Sequence, residues 1–228
     1  TMSVPGQPDL SIRLKRSVRA RRMTLRVGRT DGQVTLTLPA WVSVTEAKGF
    51  VAEQARWIAR HVAAAPPPRR VTVGAAVPFR GKDVPVIAGP GRAARLQGDA
   101  IAVADDGHAG PRVKALLRGL ARTHLTSAVD RYAEALGRAP AQITLRDTRS
   151  RWGSCSSQGK LMFSWRLVMA PPDVLDYVAA HEVAHLRHMD HSPRFWAQVA
   201  DLMPDYAPRR AWLRTHGAAL QAVDFSAT

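Results

Sequence analysis

The stretch from Tyr177 to Trp196 restricts this chain more than any other, because it holds His181, Glu182, His185 and His191. Side chains four apart on a helix lie one above the other, so His181 and His185 present two imidazoles to one ion. Glu182 follows the first of them. There its carboxylate reaches a water on that ion but is poorly placed to be a ligand. A catalytic zinc site takes three protein ligands and leaves one position open. No Glu follows Glu182, so His191, six residues past His185, is the expected third ligand. For it to fold back, the helix must stop between Leu186 and Asp190. Pro193 biases Ser192 out of the helical region, and Asp190 tolerates a left-handed turn. Ser192 and Pro193 then read as the cap and first residue of a new helix carrying Phe195, Trp196 and Val199. His188 falls where the first helix is ending and reads as a surface or supporting residue. Asp190 either orients a ligand His or sits exposed in the turn.

Length and charge bound the rest. The 228 residues suffice for one large domain or two small ones, and 46% of them are hydrophobic. No apolar run approaches a membrane span and no signal-peptide core is present, so no membrane partner is expected. Cys155 is the single cysteine, which excludes a disulfide framework and a cysteine-based zinc site and fits a reduced, cytoplasmic setting. Thirty-three basic residues against 18 acidic give a net charge of +15. That surplus favours an anionic partner: nucleic acid, nucleotides or acidic protein surfaces.

The expected class is α+β: a β-rich N-terminal domain with one helix over 1–110, then a catalytic domain over 111–228. Residues 11–30 carry eight basic side chains and no acid. Met23, Leu25 and Val27 alternate with polar residues, as do Val34, Leu36 and Leu38 across a turn at Thr30, Asp31 and Gly32. This is a β-hairpin with a basic outer face. Ser43 and Glu46 form a capping-box pair opening one helix that stops at Pro66. Short apolar runs over 70–104 predict a small antiparallel sheet, and 105–111 reads as the domain boundary. A long helix over 112–136 follows, with His124 on its inner stripe and Gly137 at its end. Ile143–Arg146 and Leu161–Leu167 read as two strands joined through Arg149–Ser157. Pro171 and Pro172 open the metal-site helix. A last short helix carries Trp212 and ends at Gly217, and Trp196 and Trp212 read as core anchors.

Several separated runs occur together in order: Arg151-Trp152-Gly153-Ser154-Cys155, Phe163-Ser164-Trp165-Arg166-Leu167, His181-Glu182-Val183-Ala184-His185-Leu186, His191-Ser192-Pro193-Arg194-Phe195-Trp196 and Pro204-Asp205-Tyr206. With these the chain resembles the YgjP-like metallopeptidase family, related to SprT and WLM-type zinc proteases. The resemblance is tightest over 143–213. It implies a zincin-like catalytic domain, a small antiparallel sheet beside the ligand helix. It also implies one zinc ion per chain, another divalent metal being compatible, with His181, His185 and His191 as ligands and Glu182 as base. Asn often stands in the family where this chain has Asp190. Members are assigned peptidase activity from the motif, and some are assigned nucleotide pyrophosphohydrolase activity.

Three readings follow. The first is a zinc-dependent peptidase in which Glu182 activates a metal-bound water, with Arg149, Arg151, Tyr177 or Tyr206 steadying the oxyanion. The second keeps the site and takes a nucleoside triphosphate, clamped by Arg146, Arg149, Arg151 and Arg166. The third is a basic nucleic-acid-associated module with a structural metal.

Overall fold

The structure is a computed structural model describing residues 2–4, 7–28, 32–64, 66, 69–148 and 150–227. The chain forms two compact units, 1–68 and 69–228.

The first unit is a four-stranded sheet with two helices. β1 (Met2–Val4) and β2 (Gln7–Ser17) are antiparallel, β3 (Thr24–Val27) and β4 (Val34–Pro39) form the expected hairpin, and the order is β1-β2-β4-β3. Thr30 and Asp31 of the expected turn lie outside the described residues. β2 joins the sheet parallel to β4, with Ser17 opposite Pro39. Its alternation is interrupted in sequence by the run of Arg and Lys, because Leu10, Ile12 and Leu14 mark the inner face and Arg16 follows them. The Ser43 capping box is present, Ser43 Oγ accepting from Glu46 N at 3.1 Å and Glu46 Oε2 accepting from Ser43 N at 2.8 Å. It opens α1 (Val44–Glu53). The expected single helix is in fact two, because the backbone leaves helical geometry at Gln54 (φ −90°, ψ 4°) before α2 (Ala55–Ala63). Ala47, Val51 and Ile58 still reach one core with Ile12, Val34, Leu36 and Leu38.

The second unit begins at Arg69, so the boundary lies well before the expected one at 105–111. The reason is that 69–103 shares a core with everything after it. β5 (Arg69–Arg70) pairs in parallel with β13 (Val223–Asp224), tying the start of the unit to its end. β6 (Ala76–Phe79), β7 (Lys82–Ala88), β8 (Arg95–Gln97) and β9 (Ala100–Val103) form a sheet of order β6-β7-β9-β8. β7 and β9 run parallel, so this sheet is mixed and not antiparallel. Its Val77, Val86, Ile101 and Val103 are buried with Val113, Leu117 and Leu125 of α3 (Ala109–Leu136). Gly137 closes α3 in the left-handed region at φ 70°, as expected of a helix-ending glycine. His124, on the expected inner stripe, is half-buried and lines a surface pocket with Arg80 and Arg131.

The remaining elements build the site. β10 (Gln142–Arg146), β11 (Gly153–Cys155) and β12 (Lys160–Ser164) form a sheet of order β10-β12-β11. The two expected strands pair in parallel, and the stretch expected only to connect them supplies β11, antiparallel to β12. This sheet, expected to be antiparallel, is therefore mixed as well. The second strand is shorter than expected, giving way to a 3-10 turn at Trp165–Met169. Then come α4 (Pro172–Ala184), α5 (Pro193–Leu202) and α6 (Tyr206–Ala222). α6 runs through Gly217 without ending there. A Cβ at Gly217 would lie 3.0 Å from Trp152 Cζ2, so this glycine makes room for an indole inside the helix packing. Among the described residues no helix is long and apolar enough to cross a membrane.

Arg166 locks these pieces together. Buried at 8% exposure, it donates from Nε to Asp147 at 2.7 Å and from one guanidinium nitrogen to the Leu220 and Val223 carbonyls at 3.0 and 2.9 Å. All of these contacts are structural, so Arg166 is not free to clamp a phosphate. Arg166→Ala is expected to destabilise this unit by about 3 kcal/mol, as for other broken buried pairs, with little rescue by Lys, whose single ammonium cannot span three acceptors. Denaturant midpoints of the two variants check this.

Candidate metal centre

α4 opens at Pro172 and packs Val174, Val178 and Val183 into the core, which leaves His181 and His185 on a different face. The helix stops at Ala184, slightly earlier than expected, with His185 as its cap (φ −64°, ψ −17°). Arg187 and His188 then donate their N–H groups back to the Ala184 carbonyl at 3.1 Å each, tightening the turn. α5 restarts at Pro193 after Ser192, as the sequence indicated. Between the two helices the chain reverses and brings His191 back.

The three histidines meet. Their candidate ligand atoms all lie within 4.8 Å of one another. His191 Nε2 faces His181 Nε2 at 3.3 Å. His185 Nδ1 lies 2.9 Å from the His188 carbonyl, so Nδ1–H donates there and Nε2 is left as the ligand atom. His188 thus contributes its backbone and not its ring. Phe195 stacks on His185 with centroids 4.3 Å apart and meets His181 edge-on at 4.9 Å, fixing both rings. Burial, then the neighbouring His185 and His191, hold His181 down to about 3, so it stays neutral and its ring is available as a donor. Three converging imidazoles with no carboxylate among the clustered donors fit a divalent ion of the zinc class. Asp190 is exposed and accepts from Ser192 Oγ at 2.9 Å, so it braces the turn.

Glu182 is 5% exposed and its Oε2 is buried with no hydrogen-bond partner among the described residues. Burial pushes its carboxyl up to about 8, against the opposing pull of exposed Arg151. It presses against β11. A Cβ built on Gly153 would collide with Glu182 Oε1 and would lie 2.6 Å from Cγ and 2.7 Å from Cδ. Gly153 is therefore the floor on which the carboxylate rests, a role the sequence reading missed. The only signal for it was a glycine inside a short strand, which marks a close approach. Cys155, two residues on, is half-buried and its thiol is raised to about 11 by burial and then by Glu182, which leaves it an inert packing group.

The other expected residues are placed as follows. Arg149 lies outside the described residues. Tyr177 is 5% exposed, meets His181 edge-on at 5.9 Å and stacks on Tyr206 at 6.3 Å. Burial pushes its hydroxyl up to about 12, keeping it a proton donor. Tyr206 in turn stacks on Trp196 at 5.5 Å, and Arg210 covers Trp196 at 4.4 Å. Trp196 also lies 5.6 Å from His181 and 5.8 Å from His191, so it walls the site as well as anchoring α5.

A family model described as YgjP-like, metallopeptidase domain matches residues 21–216. No curated protein matches the chain. Among solved structures the chain is similar to the metallopeptidase zymogen of Pyrococcus abyssi abylysin, with 18% identity and a TM-score of 0.36, over 41% of this chain and 92% of that one.

Adding zinc to metal-free protein at about 100 times its dissociation constant is expected to stabilise the fold by about 2.7 kcal/mol. That corresponds to a rise of roughly 5–10 °C in the melting midpoint. His191→Ala should show no such rise in the same calorimetric scan.

Proposed function

Because the chain belongs to the YgjP-like metallopeptidase family, matched over residues 21–216, we propose that it is a zinc-dependent peptidase with a zincin-like active site. His181, His185 and His191 would hold the ion and Glu182 would carry the proton. The observation behind this reading is the convergence of three histidines beside a carboxylate whose buried Oε2 has no partner among the described residues. A purely structural metal would need the histidines but would gain nothing from an unpaired carboxylate next to them.

When bound, the ion would polarise the scissile carbonyl, acidify water and favour the ionised form of Glu182 against the effect of burial. The rest of the chemistry belongs to the chain. β11 is bonded to β12 on one side only, so its other edge can receive an extended peptide by strand addition. Gly153, at the start of that strand, keeps the Glu182 carboxylate pressed against the same strand. Glu182 accepts the proton of the attacking water on a carboxylate oxygen and returns it to the leaving amine nitrogen. Its buried Oε2 has no competing hydrogen bond to break first among the described residues. The Tyr177 and Tyr206 hydroxyls and the Arg151 guanidinium are the donors proposed to steady the oxyanion, with Arg149 a further one by sequence.

Glu182→Gln is expected to lower peptide hydrolysis by at least about 100-fold while zinc content stays at one per chain. Metal loss or full turnover in that variant would defeat the assignment. Gly153→Ala should keep its zinc and its fold and lose about tenfold or more in kcat, because the added methyl displaces the carboxylate that moves the proton. Hydrolysis of a quenched fluorescent peptide library and elemental analysis read both variants.

A further inference from the structure

We propose that the N-terminal unit carries a binding surface for single-stranded nucleic acid, a function separate from the metal centre. Residues 1–68 hold eleven basic and four acidic residues, a bias the peptidase chemistry does not use. The fold sorts those charges. On β2, Ile12 faces the core and Leu14 packs against it, so Arg13 and Lys15 point outward and are exposed. The register puts Arg13 opposite Thr35, and Thr35 opposite exposed Arg26 on β3. The outer face is therefore a basic row crossing three strands, with small hydroxyl residues between the cations. Among the described residues no acidic side chain pairs with Arg13, Lys15 or Arg26.

Aromatic rings stand at one end of this sheet. Ser17 lies opposite Pro39, and Thr24 opposite Thr37, so the loop carrying Arg19, Arg21 and Arg22 and the loop carrying Trp41 leave the sheet at the same end. Trp41 is 74% exposed. Its backbone is nevertheless held, because one Arg16 guanidinium nitrogen donates to the carbonyls on both sides of it, Ala40 and Val42, at 3.0 Å each. An exposed indole on a clamped loop loses little freedom when a flat partner lands on it. Between edge strand β3 and the helices lies an open cavity of about 280 Å³ lined by Arg22, Phe50, Gln54 and Trp57 among others. It offers an aromatic wall, an amide for a base edge and a guanidinium at the rim.

Cations that track a phosphate backbone, beside rings that take unstacked bases, are the two components of single-strand recognition. Duplex DNA would hide its bases from Trp41 and from the cavity. An acidic peptide would be satisfied by the arginines alone and would leave both aromatic features unused.

The test is fluorescence anisotropy of a labelled mixed-sequence DNA single strand of about 20 nucleotides with the full chain. The matching duplex and a polyglutamate peptide serve as competitors. If about four phosphates are neutralised, affinity should fall about 50-fold between 50 and 200 mM salt. Replacing Arg19, Arg21 and Arg22 together by Gln should flatten the logarithmic salt slope by about 2. Trp41→Ala should weaken binding by about tenfold and Trp41→Phe should restore most of it. Both sites are exposed, and circular dichroism confirms that the variants fold. Absence of binding overturns the proposal. So does an unchanged affinity in Trp41→Ala, or competition by duplex or polyglutamate as strong as by the single strand, since each marks a surface that reads charge alone. Glu182→Gln should bind DNA like the wild type, so failure here and failure of the peptidase reading are told apart.

Discussion

The candidate metal centre depends on a chain reversal of eight residues between the end of α4 and the start of α5. Two of the three histidines come with a helix and cost nothing special to align. The third must return from the far side of a break, and the break has to be rigid enough to place a ring nitrogen to within a few tenths of an ångström. The rigidity comes from backbone bonds to the Ala184 carbonyl, from the His185 ring donating to the His188 carbonyl and from Phe195 wedged among all three imidazoles. Polar contacts fix the turn, and a fully buried aromatic ring fixes the angle between the donors.

Glu182 is held by a different means. Among the described residues nothing hydrogen-bonds its buried Oε2, and its position follows from contact with a strand that lacks a side chain at Gly153. Burial of an unpaired carboxylate works against stability, and a protein retains such a group where chemistry needs it. The surrounding framework supplies the compensation. Arg166 and Asp147 tie the 3-10 turn before α4 to the end of α6, and β5 closes against β13, so the elements that carry the site belong to one core. The first unit has its own smaller core, and its surplus of positive charge lies on the outer sheet face and on the loops at one end of that sheet.

Most of the helices, the histidines that cluster and the capping signals were legible in the amino-acid order, because each rests on local rules. These include four-residue spacing for His181 and His185, a proline restart at Pro193, a capping box at Ser43 and a left-handed Gly137. The pairing of strands was not legible. β10 and β12 look like a hairpin in sequence and are parallel in space, because β11 takes the antiparallel position. The unit boundary was misplaced for a related reason. A Gly- and Asp-rich stretch at 105–107 looks like a linker, yet the valines before it and the leucines after it share one interior.

The sequence by itself therefore determined the candidate donor set, its helical presentation and the point where the chain must turn back, since these are matters of residue type and spacing. Only the tertiary structure decided which strand lies beside the ligand helix, what supports Glu182 and which arginines are spoken for. Those outcomes depend on contacts between residues far apart in the chain. Gly153 meets Glu182, Trp152 meets Gly217, and Arg166 meets Val223 because a shared core brings them together, and no local pattern encodes that encounter.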